Sequence, residues 1–260
     1  VEIRVEMMGQ LEAAAAANLR DFVEAYRRAA PETGATGFPF AGGYMAFTGR
    51  GSPLTTIKGL GPSLRGAELD EAARFFWQHG AEEMVVEAAP WLDDESRATL
   101  EARGFTVAGG ENVVVRTRPE TVTAPPQRIR EANRHAWAEL MLAAFELPLD
   151  PQYKSLVHAA WCLRDAVNLG VMDSDDMWMA CAQMVPCDGV WIFGCDGTLR
   201  EARGRGAQTA LILERLRRLP PGALAVAEVA PGSGSERNYL RCGFEIAYRR
   251  THYLGPCGAA

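Results

Sequence analysis

"EARGRGAQTALILERLRRL", residues 201–219, places Arg203-Gly204-Arg205-Gly206-Ala207-Gln208 at the mouth of an uninterrupted run of helix formers. The first turn of any helix has backbone N–H groups without intrahelical partners, and its dipole adds partial positive charge there. Glycines at 204 and 206 let the backbone come close to a ligand. Together these features make an anion site suited to phosphate or pyrophosphate, and Arg203 and Arg205 would add charge-assisted contacts. The plain alternative is a tight turn ahead of a solvated arginine face. Two other glycine motifs are excluded. A P-loop needs a Lys-Ser/Thr pair that is absent, and a dinucleotide fingerprint needs a third glycine where Thr209 stands.

The stretch around this turn occurs twice. "RGAELDEAARFFWQHGAEEMVVEAAP" (65–90) and "RGAQTALILERLRRLPPGALAVAEVAP" (205–231) both read Arg-Gly-Ala, helix, turn, and a strand ending Glu-x-Ala-Pro. Each continues through a short helical stretch to Gly-Phe, at 104–105 and 243–244, and on to a further strand. A period of about half the chain indicates a duplicated domain and not a solenoid. "TRPETVTAPPQ" (117–127), with its three prolines, reads as a linker. The predicted division is therefore 1–118, a linker over 119–128, and 129–260. Strand and helix signals alternate in each half, including an Asp188-Gly189 hairpin turn between 177–185 and 190–195. The predicted fold class is α/β (α+β): two mixed-sheet sandwiches.

Composition narrows the function. The 260-residue chain has a net charge of −6, which does not suit a nucleic-acid binder. No apolar run is long enough to span a membrane, and "VEIRVEMMGQ" carries no secretory signal core. The six cysteines form no C-x-x-C pair and, with four scattered histidines, no metal pattern; reduced core thiols in a cytoplasmic protein are expected, with no metal. Composition is silent on the oligomeric state.

The residues 203–208, the helix after them, the strand "ALAVAEVAP" and "SERNYLRCGF" resemble, in this order, the GNAT superfamily of acyl-CoA-dependent N-acetyltransferases. The loop matches the family's R-x-x-G-x-[GA] pattern except at Gln208, and Arg200 stands where proline is common. The resemblance is specific over 177–254 and weaker elsewhere. It implies acetyl-CoA as co-substrate and a primary amine on a small molecule as acceptor. It also implies that Arg203, Gly204, Arg205, Gly206, Ala207 and Gln208 cradle the pyrophosphate. The backbone around Gly197 and Thr198 would meet the pantetheine arm, with help from Asn238. The thioester would lie in a V-shaped gap between the strand before the loop and strand 223–230. The family commonly places a tyrosine five residues before the phenylalanine of the Gly-Phe pair, where it protonates the departing thiolate; here that residue is Tyr239. Its counterpart in the first half is Leu100, which carries no proton.

Two carboxylates are candidate general bases: Asp196, at the end of the strand before the loop, and Glu228, inside the next strand, where burial would raise its pKa. Glu87 occupies the place of Glu228 in the first half, which argues for a structural role. The first-half loop reads Gly61-Pro62-Ser63-Leu64-Arg65-Gly66, so the first arginine and first glycine are replaced. That half is expected to be a degenerate partner, with Arg50-Gly51-Ser52-Pro53 its contribution to the acceptor pocket. The competing class is an acyl-CoA sensor without chemistry, which would have no need of a proton donor at position 239.

Overall fold

The computed structural model describes residues 5–258, and these fall into two compact units. One contains the chain up to Asn112 together with the residues from Tyr248 onward; the other contains Val113–Ala247. This differs from the predicted division at both ends. Residues 113–118 pack with the second half, and the last strand packs with the first. The reason is that a strand's partner is chosen by register and burial over the whole sheet, which local sequence pattern does not encode. Residues 118–127 form neither helix nor strand, as the prolines predict.

In the first unit, α1 (Val5–Ala29) precedes β1 (Thr36–Phe40), β2 (Gly43–Phe47) and β3 (Thr56–Lys58). Then come α2 (Gly66–Gln78), β4 (Glu83–Ala88) and α3 (Asp94–Ala102). The sheet order is β1-β2-β3-β4-β11, where β11 is Glu245–Pro256. The β1–β2, β2–β3 and β4–β11 ladders are antiparallel and β3–β4 is parallel. Strand alternation gives the sheet two apolar faces. Met45, Ile57, Met84 and Val86 pack with Phe76 and Leu100, while Tyr44 and Ala46 face Leu19 and Val23 of α1.

The second unit repeats this topology. After β5 (Thr106–Thr117) and β6 (Arg128–Glu131) come α4 (Arg134–Ala144), α5 (Pro151–Trp161), β7 (Val167–Met172), β8 (Trp178–Cys187) and β9 (Val190–Thr198). They are followed by α6 (Ala207–Arg218), β10 (Leu224–Val229) and α7 (Gly234–Arg241). The order β5-β10-β9-β8-β7-β6 again has antiparallel β7–β8 and β8–β9 ladders and a parallel β9–β10 pair. Asp188 and Gly189 both have positive φ in the β8–β9 turn, the geometry the Asp-Gly signal predicts. Phe193, Ala225 and Ala227 pack under Ile212 and Leu216 of α6 and Tyr239 of α7. On the other face, the buried Trp137 of α4 donates its indole N–H to the Ala182 carbonyl at 3.4 Å.

Candidate active site

The glycine turn leads into α6 as the sequence suggests. Gly204 and Gly206 have φ of 79° and 76°, a left-handed backbone that side-chain-bearing residues rarely adopt. Gly206 is the N-cap of α6, and no side chain caps the helix. Its first-turn amides thus retain the donor character that an anion would use. Arg205, Gly204 and Gly206 are exposed, and Ala207 is buried beneath them. The Arg203 guanidinium is held by its own unit. It donates to the carbonyls of Thr198 and Ala144, each at 3.3 Å, and lies 3.5 Å from Glu146.

The first-half loop is closed. The Leu64 N–H donates to Ser96 Oγ at 2.7 Å, and the Arg65 N–H donates to Glu68 Oε2 at 2.8 Å. The Pro62 carbonyl accepts from the Asp93 N–H, so the loop is fastened to the start of α3. Here the donors that an anion would need are engaged by the protein itself.

The strands ahead of the two loops also differ. The β9–β10 ladder runs only over Trp191↔Ala225, Ile192↔Val226 and Phe193↔Ala227, while β9 continues to Thr198 and β10 to Val229. The strands part beyond Phe193. A side chain added at Gly194, the next residue, would meet no atom within 4 Å of its Cβ. In the first unit, the β3–β4 ladder ends at Ile57↔Val86, and the next residues, Lys58 and Glu87, form an ion pair at 2.9 Å. Gly194 is thus the counterpart of Lys58, with no side chain to close the gap. Sequence reading passed over Gly194, because the sign of its role is a missing bridge visible only from the matched registers.

A bulge then re-aims β9. Cys181 pairs with Gly197 and Gln183 with Gly194, so two residues of β9 oppose Ala182, and Cys195 takes φ of 55°. The extra residue shifts the alternation and turns Asp196 onto the face already occupied by Phe193. There it meets Arg215, a fully buried cation of α6, with Nη2 2.7 Å from Oδ1. Tyr239, 1% exposed, donates its hydroxyl to Asp196 Oδ2 at 2.6 Å and accepts from Arg215 Nη2 at 3.2 Å. Burial raises the Tyr239 phenol well above the ordinary tyrosine value; Arg215 opposes this and Asp196 adds to it. Arg215 also donates to the Gln183 carbonyl at 2.9 Å and lies 4.4 Å from the Phe193 ring centre.

This cluster reaches the loop through Gln208. Its side-chain N–H groups donate to Ser235 Oγ at 2.8 Å and Asp196 Oδ2 at 3.4 Å, and its carbonyl accepts from Asn238 at 2.7 Å. Ser233 caps α7 by accepting from the Glu236 N–H. The structure therefore brings together Asp196, Gln208, Asn238 and Tyr239 among the residues singled out from sequence, and adds Arg215, which belongs to no motif. Its i−4 neighbour Leu211 and i−3 neighbour Ile212 are apolar, which marks a buried helix face.

One expectation changes. Glu228 is exposed, not buried, because Ala227 and Val229 take the core face of β10; the buried member of the pair is Glu87, at 6% exposure. Asp196, a candidate base at the strand end, is held between a buried guanidinium and a phenol. Gly197 packs closely on α4. A Cβ there would lie 2.7 Å from that of Ala144 and 3.0 Å from the Phe145 ring, so glycine is required for the close approach.

Solved structures share this fold. A GCN5-related N-acetyltransferase from Kribbella flavida aligns over 93% of this chain and 96% of its own, with a TM-score of 0.61 at 16% identity. A tandem GNAT protein from the clavulanic acid biosynthesis pathway aligns over 75% and 70%, with 0.57 at 17%. A GCN5-related N-acetyltransferase from Sphaerobacter thermophilus aligns over 68% and 61%, with 0.55 at 18%. No protein-family model and no curated protein sequence matches the chain. The chain has the GCN5-related N-acetyltransferase fold. It carries that fold twice in tandem, each copy completed by a strand from the other half of the sequence. Among the described residues, no helix is long and apolar enough to cross a membrane.

Proposed function

We propose that the second unit transfers an acetyl group from acetyl-CoA to a primary amine of a small molecule, in the cytoplasm. The observation that carries this reading is the exposed, left-handed glycine turn that opens α6, set against a first-unit loop whose Leu64 and Arg65 amides are taken by Ser96 and Glu68. The pyrophosphate would take the amides of residues 204–208, and Arg205 would add a charge-assisted contact. The pantetheine arm would run along the end of β9 at Gly197 and Thr198, with the thioester beside Gly194. The amine nitrogen attacks the thioester carbonyl, an N–C bond forms, the C–S bond breaks, and the electron pair leaves on sulfur.

Tyr239 is the proton donor to that thiolate. Its O–H is a rotor, so the proton now directed at Asp196 can turn to a new acceptor without moving the ring. A thiol titrates at ~8.5, below a phenol, and burial widens that gap, so the transfer relies on the Arg215 guanidinium beside the phenolic oxygen. Glu228 would take the proton that the amine loses, through water; its exposure and its position one residue past the last β9–β10 pair support that role.

Calorimetry with CoA and acetyl-CoA turnover against pools of primary amines test the proposal together. One CoA site per chain and turnover with at least one amine support it. Two sites, or none, overturn it. One site without turnover on any amine favours the sensor reading.

A further inference from the structure

The cluster under the β9 bulge is more than a tyrosine against a sheet. A buried arginine and a nearly buried aspartate cost desolvation energy that apolar residues of the same volume would avoid. They converge on one atom, the Tyr239 oxygen: Asp196 accepts its proton, and Arg215 donates to it from 3.2 Å. The charged groups facing the phenol are Asp196 from β9 and Arg215 from α6; β10 and β5 present Ala227, Val229 and Val114. Cys242, the C-cap of the phenol's helix, lies in the same apolar cluster. Arg215 also bonds the Gln183 and Leu211 carbonyls, so its removal has a structural cost that the test below separates from its action on the phenol.

We propose that Arg215 and Asp196 are positioning residues for Tyr239: the carboxylate fixes the hydroxyl beneath the bulge, and the guanidinium faces the phenolate left when the proton departs. This deepens the transferase reading and rests on it for its chemistry. In the step, the Tyr239 O–H bond breaks, its proton goes to the CoA sulfur, and the negative charge passes from sulfur to the phenolic oxygen beside Arg215. The proton that the acylated nitrogen loses to Glu228 is then passed on through water to the phenolate, which restores Tyr239. Because Gln208 contacts Asp196 from the first turn of α6, the same network ties the anion loop to the proton donor.

The test uses the full chain with Arg215→Met, Arg215→Lys, Asp196→Asn and Tyr239→Phe. With an amine that the wild type accepts, Arg215→Met is expected to lower the single-turnover rate at least tenfold while leaving the CoA Kd within twofold. Arg215→Lys, which restores a cation, should recover part of that loss. In the Tyr239→Phe background, Arg215→Met should cause no further loss, because it acts through the phenol. An equal loss in both backgrounds overturns the proposal. A second readout needs no acceptor: the Tyr239 Cζ resonance in ¹³C-tyrosine protein, assigned by its absence from Tyr239→Phe. Asp196→Asn removes the nearby negative charge and should bring Tyr239 ionisation to lower pH than in wild type; an unmoved titration also overturns the proposal. This readout decides the matter if Arg215→Met does not fold. It decides it equally if the wild type binds CoA and turns over no amine, in which case the transferase reading fails on its own.

Discussion

The two glycine-bearing turns, 61–66 and 203–208, sit at the same point of the same topology and do opposite things. In the first, Ser96 and Glu68 take the amides of Leu64 and Arg65, and Lys58 bridges to Glu87 across the end of the parallel strand pair. In the second, the helix start is uncapped and Gly194 stands where Lys58 does. One fold thus presents a closed and an open version of one site. The difference comes from two side chains that take up donors and from one that spans a gap. Amides that the protein satisfies internally are not available to a ligand.

In the first unit this position carries a charged cluster. Lys58, Glu87, Glu111, Arg250 and His252 gather there, and Arg250 and Tyr248 reach Glu12 of α1 at 2.7 and 2.5 Å. Glu87, Glu111 and His252 have the spacing of a metal cluster, but Lys58 and Arg250 already supply the positive charge at their centre.

The comparison can be broken at several points. The largest effect is expected from Tyr239→Phe, which keeps the ring packing and removes the hydroxyl. The single-turnover rate should fall ~10²–10⁴-fold with CoA affinity nearly unchanged. Full retention of that rate would leave Tyr239 a packing residue.

Converting the open site toward the closed one should come next. Gly194→Lys places the first unit's bridge opposite Glu228, and Gly206→Asp puts a carboxylate and a strained backbone at the α6 start. Each should weaken CoA binding at least tenfold, or ~1.4 kcal/mol, by calorimetry. Unchanged affinity in Gly206→Asp would remove the loop from the binding site.

A smaller effect concerns the closed site. His252 lies 3.9 Å from Glu111 and 4.0 Å from Glu87. Glu111 first, and then Glu87, raise its pKa above the ordinary histidine value although burial opposes them. A raised folded-state pKa stabilises fully below the unfolded value of ~6.5, and that contribution is lost as pH rises through the folded value. Urea unfolding should therefore show stability declining over that window in the wild type and a flatter profile in His252→Gln. Indistinguishable profiles would sever His252 from the cluster's energetics.

The smallest effect is expected from reversing the loop sequence alone. Ser63→Arg with Leu64→Gly recreates the Arg-Gly-Arg-Gly-Ala run of 203–207, yet calorimetry should still find a single CoA site, because Glu68 and the Lys58–Glu87 bridge remain. A second site would mean that the loop residues by themselves decide binding.

Sequence alone was enough for the duplication, the hairpin at Asp188-Gly189, the helix entered through Gly206 and the degenerate first-half loop. Each of these rests on local chemistry: a φ that glycine tolerates, a turn type, a periodic apolar face. The tertiary structure decided the rest, because each remaining feature depends on partners distant in the chain. The strand from residue 248 onward lies beside β4, in the first unit, because register there buries its apolar residues. Asp196 faces Arg215 and Tyr239 because a single extra residue in β9 inverts its alternation, and no local pattern announces a bulge. Glu228 and Glu87 share a motif and differ in burial, since the neighbours that cover one are absent from the other. Gly194 gains its meaning only when its register is laid beside that of Lys58, a comparison between two strand pairs that exists once both sheets are formed.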